Sequence, residues 1–120
     1  MENVVILGAS TKEHRYSFKA QKMLMEHGHR VFPVSPNGKT ILCVNGFCSI
    51  CEIPNMIDTV TLYVGPQRQD GMIDEIIQKK PRRVIFNPGT EHPENMAKLK
   101  QHGIEVQEAC TLVLLTTGQY

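Results

Sequence analysis

The stretch Gly8-Ala9-Ser10-Thr11-Lys12 carries the residues of this chain best suited to hold an anion. Gly8 permits a sharp turn, Ser10 and Thr11 supply hydroxyls, and backbone N–H groups leading into a following helix favour negative charge. Lys12, His14 and Arg15 add positive charge. A phosphate or pyrophosphate is the natural guest. Three more stretches share this composition: Val34-Ser35-Pro36-Asn37, Val64-Gly65-Pro66-Gln67 and Asn87-Pro88-Gly89-Thr90. Each would bring backbone close to a ligand, although Gly and Pro make turns in any case. Four such loops on one sheet edge tilt the reading toward a ligand.

The spacing argues against NAD. In the G-x-G-x-x-G fingerprint the second and third glycines would fall at Ser10 and Glu13. NAD sites also place an acid after the second strand to grip the free ribose hydroxyls. Here that place holds Ser35-Pro36-Asn37, with Lys39 just beyond. Neutral and basic groups suit a phosphorylated ribose, which NADP and coenzyme A both carry.

Cys43, Cys48 and Cys51 have C-x4-C-x2-C spacing, and Cys110 could complete a ligand set for a metal or iron–sulfur redox centre. Buried thiols are the commoner fate of such cysteines. Cys110 could alternatively form a mixed disulfide with coenzyme A, but nothing near it in sequence lowers its pKa, and core packing is the expected role. His27 and His102 each precede a Gly at the end of a helical run, where a cation complements the helix dipole. Surface or capping roles are expected for the histidines, including His29 and His92. No G-x-S-x-G elbow or Ser-His-acid arrangement is present, so catalysis by the isolated chain is not expected.

The loops need elements to position them. Val4-Val5-Ile6-Leu7 reads as a strand buried on both faces, as in a parallel sheet. Ser17 to His27 follows with helical spacing, Ser17 as N-cap and Gly28 as the stop. Further strands are expected at Arg30 to Val34, Thr59 to Val64, Arg83 to Phe86 and Ile104 to Val106, with a short extra strand at Thr40 to Val44. Helices are expected from Gln69 to Lys79, Pro93 to Gln101 and Thr111 to Thr117, with a helical turn at Ser49 to Ile53. Strands interleaved with helices of this length imply right-handed crossovers. The expected fold is α/β: a Rossmann-like doubly wound parallel sheet of about five strands. Ligands of such a sheet bind outside the carboxyl ends of the strands, where all four loops lie.

A chain of 120 residues suits one domain, residues 1–120. Its net charge of +1 lacks the basic surplus of a nucleic-acid or membrane-surface protein. The apolar run Leu112 to Leu115 falls far short of the ~20 residues that span a bilayer. Met1-Glu2-Asn3 does not open a signal peptide, so a cytoplasmic location with reduced thiols is expected. The apolar tail could cover a second copy in a homodimer, but packs more simply on the sheet.

Val5-Ile6-Leu7-Gly8-Ala9-Ser10, Glu26-His27-Gly28 and Val31-Phe32-Pro33-Val34-Ser35-Pro36-Asn37 resemble the small bacterial CoA-binding domain proteins. These are related to the CoA-binding domain of the succinyl-CoA synthetase alpha subunit. The resemblance continues through Ser49-Ile50-Cys51-Glu52-Ile53-Pro54 and Asp58-Thr59-Val60 to Glu108-Ala109-Cys110. It implies binding of coenzyme A or an acyl-CoA by the loops at Gly8, Val34 and Val64, with Lys39 a candidate for the 3′-phosphate. The pantetheine arm would run along the third- and fourth-strand loops, past Val64 and Asn87. The related synthetases keep their catalytic histidine in another domain, so a partner enzyme subunit would have to supply any chemistry. An NADP or other nucleotide-binding module is the alternative.

Overall fold

The first apolar run is a strand because both of its faces find packing partners: Val4, Val5 and Ile6 are wholly buried. The computed structural model describes residues 1–120. In it β1 (Asn3–Leu7) lies between β2 (Arg30–Val34) and β3 (Thr59–Leu62), followed by β4 (Arg83–Phe86) and β5 (Glu105–Glu108). The order is β2-β1-β3-β4-β5 and every pair is parallel. In register, Val5 stands beside Phe32 and Val60, and Leu7 beside Val34 and Leu62.

Alternation along the strands gives the sheet two apolar faces. Val5, Leu7, Val60, Leu62, Val84 and Phe86 pack in one core with Ile73 and Ile76 of α2 (Met72–Lys79) and Met96 and Leu99 of α3 (Pro93–Gln101). On the other face Val4, Ile6 and Val31 meet Leu24 of α1 (Tyr16–Glu26) and Leu115 of α4 (Thr111–Thr116). This is the doubly wound, Rossmann-like α/β fold. The apolar tail packs on the sheet, with Leu114 and Leu115 buried and only Val113 turned outward. No helix is long and apolar enough to cross a membrane.

His27 and His102 stand at the C-caps of α1 and α3, where each ring N–H donates to the carbonyl four residues back, Met23 at 2.8 Å and Lys98 at 2.9 Å. His92 caps the start of α3, its Nδ1 accepting from the Asn95 N–H at 3.2 Å.

Several boundaries differ from the sequence reading. Ser17 is not the N-cap of α1; Arg15 holds that place without a side-chain bond, and Ser17 is buried within the first turn. The expected strand at Thr40 to Val44 is a tight turn, because Ile41 and Val44 exchange both N–H···O bonds across Leu42 (φ 51°) and Cys43 (φ 63°). Two successive left-handed residues reverse the chain, as in a type I′ turn. The helix expected from Gln69 begins at Met72, preceded by a 3₁₀ turn at Pro66–Arg68 and by Gly71 at φ +81°. Gln69 is instead buried, its amide donating to the carbonyls of Val64 at 3.0 Å and Thr90 at 2.7 Å. The helical turn near Ser49 is a 3₁₀ turn, Ile50–Glu52, capped by Ser49 Oγ accepting from the Cys51 N–H.

Candidate functional site

Because β1 leads through α1 to β2 on one side while β3 lies on its other side, the loops leaving β1 and β3 diverge and open a crevice. Gly8 sits at that point with φ +93°. A Cβ there would stand 3.0 Å from Val64 Cγ2 and 3.2 Å from the Tyr63 carbonyl, so only glycine lets the two loops approach. The N–H groups of Gly8 and Ala9 both donate to the Val34 carbonyl at 3.0 Å. The loop is thereby fastened between the ends of β2 and β3. Ser10 Oγ then accepts from the Lys12 N–H at 3.1 Å and shapes the approach to α1.

The crevice is a cleft of about 610 Å³. Of the residues singled out in the sequence, Gly8, Ala9, Ser10, Arg15, Val34, Ser35, Pro36 and Val64 line it. Thr11, Lys12, Asn37, Lys39, Gly65, Pro66 and Gly89 lie outside its lining, with Lys12 and Lys39 exposed. Sequence reasoning missed Cys48, Ser49, Tyr63, Arg68, Met72 and Glu75, which with Leu7 at the end of β1 complete the wall. Arg68 and Met72 come from the turn and helix after β3. Ser49 and Glu75 meet only in three dimensions, Ser49 Oγ donating to Glu75 Oε2 at 3.0 Å.

The electrostatics suit an anion. Arg15 and Arg68 line the cleft, and Glu75 is the only carboxylate on its wall. Arg15 heads α1, and the N–H groups of Tyr16, Ser17 and Phe18 behind it find no acceptor in the protein. The first turn of α1 carries no acidic residue. Free N–H groups and the dipole's positive end therefore act together there.

Tyr63 separates the cleft from a smaller chamber of about 250 Å³ that also touches Tyr16, Asn87, Pro88, Cys110 and Leu112. Asn87 and Pro88, also singled out, thus lie on this second space. The Asn87 amide is engaged by the protein. Its Nδ2 donates to Thr61 Oγ1 at 2.7 Å and to the Leu62 carbonyl at 2.9 Å, while Oδ1 accepts from the Thr111 N–H at 2.9 Å. Thr61 and Thr111 share a further hydroxyl bond at 2.8 Å, so β3, β4 and α4 are tied together directly beneath the chamber. Burial pushes the Tyr63 phenol up to about 12, which keeps it neutral.

The cysteines depart from the expected buried thiols. Cys43, Cys48 and Cys51 are exposed and Cys110 is half-buried. They sit on a turn, a cleft wall and a 3₁₀ turn where the chain reverses, and reversing chain keeps side chains at the surface. No three His, Cys, Asp or Glu side chains converge as a metal-binding group. A larger and more open hollow of about 720 Å³ follows the β2 edge beside Met25, Phe32, Val44 and Phe47. None of the four Gly-, Pro- and Ser-rich loops contributes to it, and the switch-point cleft remains the candidate site.

Residues 2–116 match a family model described as CoA binding domain. The crystal structure of an uncharacterized protein is 38% identical at TM-score 0.91, covering 100% of this chain and 98% of that one. A hypothetical protein from Pyrococcus horikoshii OT3 is 29% identical at TM-score 0.87, covering 92% of this chain and 78% of its own. A dinucleotide forming acetyl-coenzyme A synthetase 1 from Ca. Korarchaeum cryptofilum, 16% identical at TM-score 0.79, shares the fold over 90% of this chain and 25% of that one.

Proposed function

This chain belongs to the CoA binding domain family, and from that premise we propose that its switch-point cleft binds coenzyme A or an acyl-CoA. The observation that carries the reading is the donor set. Arg15 and Arg68 line one cleft, and Arg15 stands at the N-cap of α1, whose first N–H groups have no acceptor in the protein. Such a set neutralises phosphates. The loop after β2 carries no acid to bind a free ribose, and the single carboxylate on the wall, Glu75, is engaged by Ser49.

Arg15 and the first turn of α1 take the pyrophosphate in this reading. Gly8 and Ala9 act indirectly: their N–H groups hold the loop to Val34, and the absent side chain at Gly8 leaves room for the ligand. Ser35 and Pro36 bound the adenosine end, and Lys39, exposed on the same loop, remains the candidate for the 3′-phosphate. The coenzyme itself would supply the thiol that carries an acyl group. Fit is favoured because the cleft joins cationic groups to apolar walls at Val34, Val64 and Met72.

Titration of Arg15→Gln and Lys39→Gln variants with CoA tests these assignments. Loss of one charge-assisted contact should weaken CoA by about tenfold or more at Arg15. If Lys39 contacts the 3′-phosphate, its variant loses affinity for CoA but not for dephospho-CoA. Unchanged CoA affinity in Arg15→Gln would contradict the placement of the pyrophosphate.

A further inference from the structure

We infer that the chamber behind Tyr63 receives a short, uncharged acyl group, so that the protein prefers a short-chain acyl-CoA to free CoA. The inference rests on the CoA reading of the cleft and adds the class of thioester. Three observations carry it. The chamber shares the Tyr63 wall with the cleft, beyond the ends of β3 and β4. It holds about 250 Å³, and an apolar cavity of roughly 150 Å³ already accommodates a six-carbon ring. Space for a chain of about four carbons is therefore present, and most of a long fatty chain would have to lie outside it.

Its lining is Tyr16, Tyr63, Asn87, Pro88, Cys110 and Leu112, with no charged side chain. Asn87 has its donors and acceptor engaged by Thr61, Leu62 and Thr111, so the chamber offers no cationic group to pair with a buried carboxylate. An unpaired charge held there is disfavoured, which selects against a dicarboxylic acyl group.

Calorimetric titration with CoA and with acetyl-, butyryl-, succinyl- and palmitoyl-CoA tests the inference. Affinity should rise on the order of tenfold from acetyl to butyryl, from the burial of two methylenes. It should fall at succinyl and at palmitoyl. A Leu112→Trp variant, filling the chamber from a half-buried position, should keep CoA affinity and lose the butyryl gain. Alkylation of Cys110, followed by peptide mapping, should be slowed by butyryl-CoA more than by CoA. Equal affinity for CoA and every thioester, or succinyl-CoA binding as tightly as butyryl-CoA, overturns the inference and leaves the CoA reading standing. Absence of binding by CoA and all thioesters alike would instead remove the CoA reading on which it rests. Should Leu112→Trp fail to fold, the thioester series and the Cys110 protection decide the matter without it.

Discussion

Replacing Asn87 with Ala removes three hydrogen bonds at once, to Thr61 Oγ1, the Leu62 carbonyl and the Thr111 N–H. All lie in buried surroundings, so the abandoned partners keep their desolvation cost. We expect a loss of about 2–4 kcal/mol in urea unfolding, and a loss below about 1 kcal/mol would mean that the network is not structural. His29 gives a pH dependence. Its pKa lies below the ordinary 6.5, first because burial disfavours the cation, with the N-terminal ammonium, His27 and Arg83 adding repulsion and Glu2 opposing them. Its Nδ1 also accepts from the Glu2 N–H at 3.1 Å, which requires that nitrogen to be unprotonated. As pH falls, the unfolded chain takes up the proton first. The stabilisation is therefore present above 6.5 and lost as pH drops below it. Between about pH 7.5 and pH 5.5 the native protein should lose more stability than a His29→Gln variant, and equal losses would refute the assignment.

The connection from β2 to β3 is the element on which the cleft wall depends most. Phe47 exchanges bonds with Pro33 and Ser35, Gln21 donates to the Ile41 carbonyl at 3.0 Å, and Lys79 Nζ donates to the Ile53 carbonyl. Gly46 makes the close passage possible: a Cβ there would land on the Lys39 carbonyl oxygen and 2.8 Å from the Gly38 carbonyl carbon. Backbone on both sides cannot yield cheaply. Gly46→Ala should cost about 3 kcal/mol, and should weaken CoA binding by displacing Cys48 and Ser49 from the cleft. Thermal unfolding with CoA titration of the same variant would check both, and wild-type behaviour in each would show that the loop is not under this constraint. This connection was also the least legible part of the sequence. Leu42 and Cys43 turn the chain in left-handed conformations with no Gly or Asn to signal it. Gln69 looked helical because it adjoins a helical run, yet its amide is spent on two loop carbonyls. The strands and helices were legible because burial of one face imposes a period on neighbouring residues. Pairings such as Ser49 with Glu75 leave no such mark, being set by tertiary packing alone. The loops were therefore readable as a group, while the roles of Arg68, Ser49 and Glu75 were not.

At the scale of the molecule, one sheet places four loops at its carboxyl edge, and the topology makes two of them diverge at Gly8. The protein as a whole is nearly neutral, with net charge +1, so attraction for a polyanion must come from local placement of Arg15, Arg68 and the α1 terminus. Binding should weaken with added salt, as screened phosphate contacts do. A ligand at a hundred times its Kd adds about 2.7 kcal/mol to stability, so the preferred coenzyme should also raise the melting temperature. The most direct measurement is calorimetric titration with CoA, dephospho-CoA, NADP and NAD side by side. Saturable binding of CoA, weaker for dephospho-CoA and undetectable for NAD, is the predicted result. Binding of NADP with none of CoA would contradict the account.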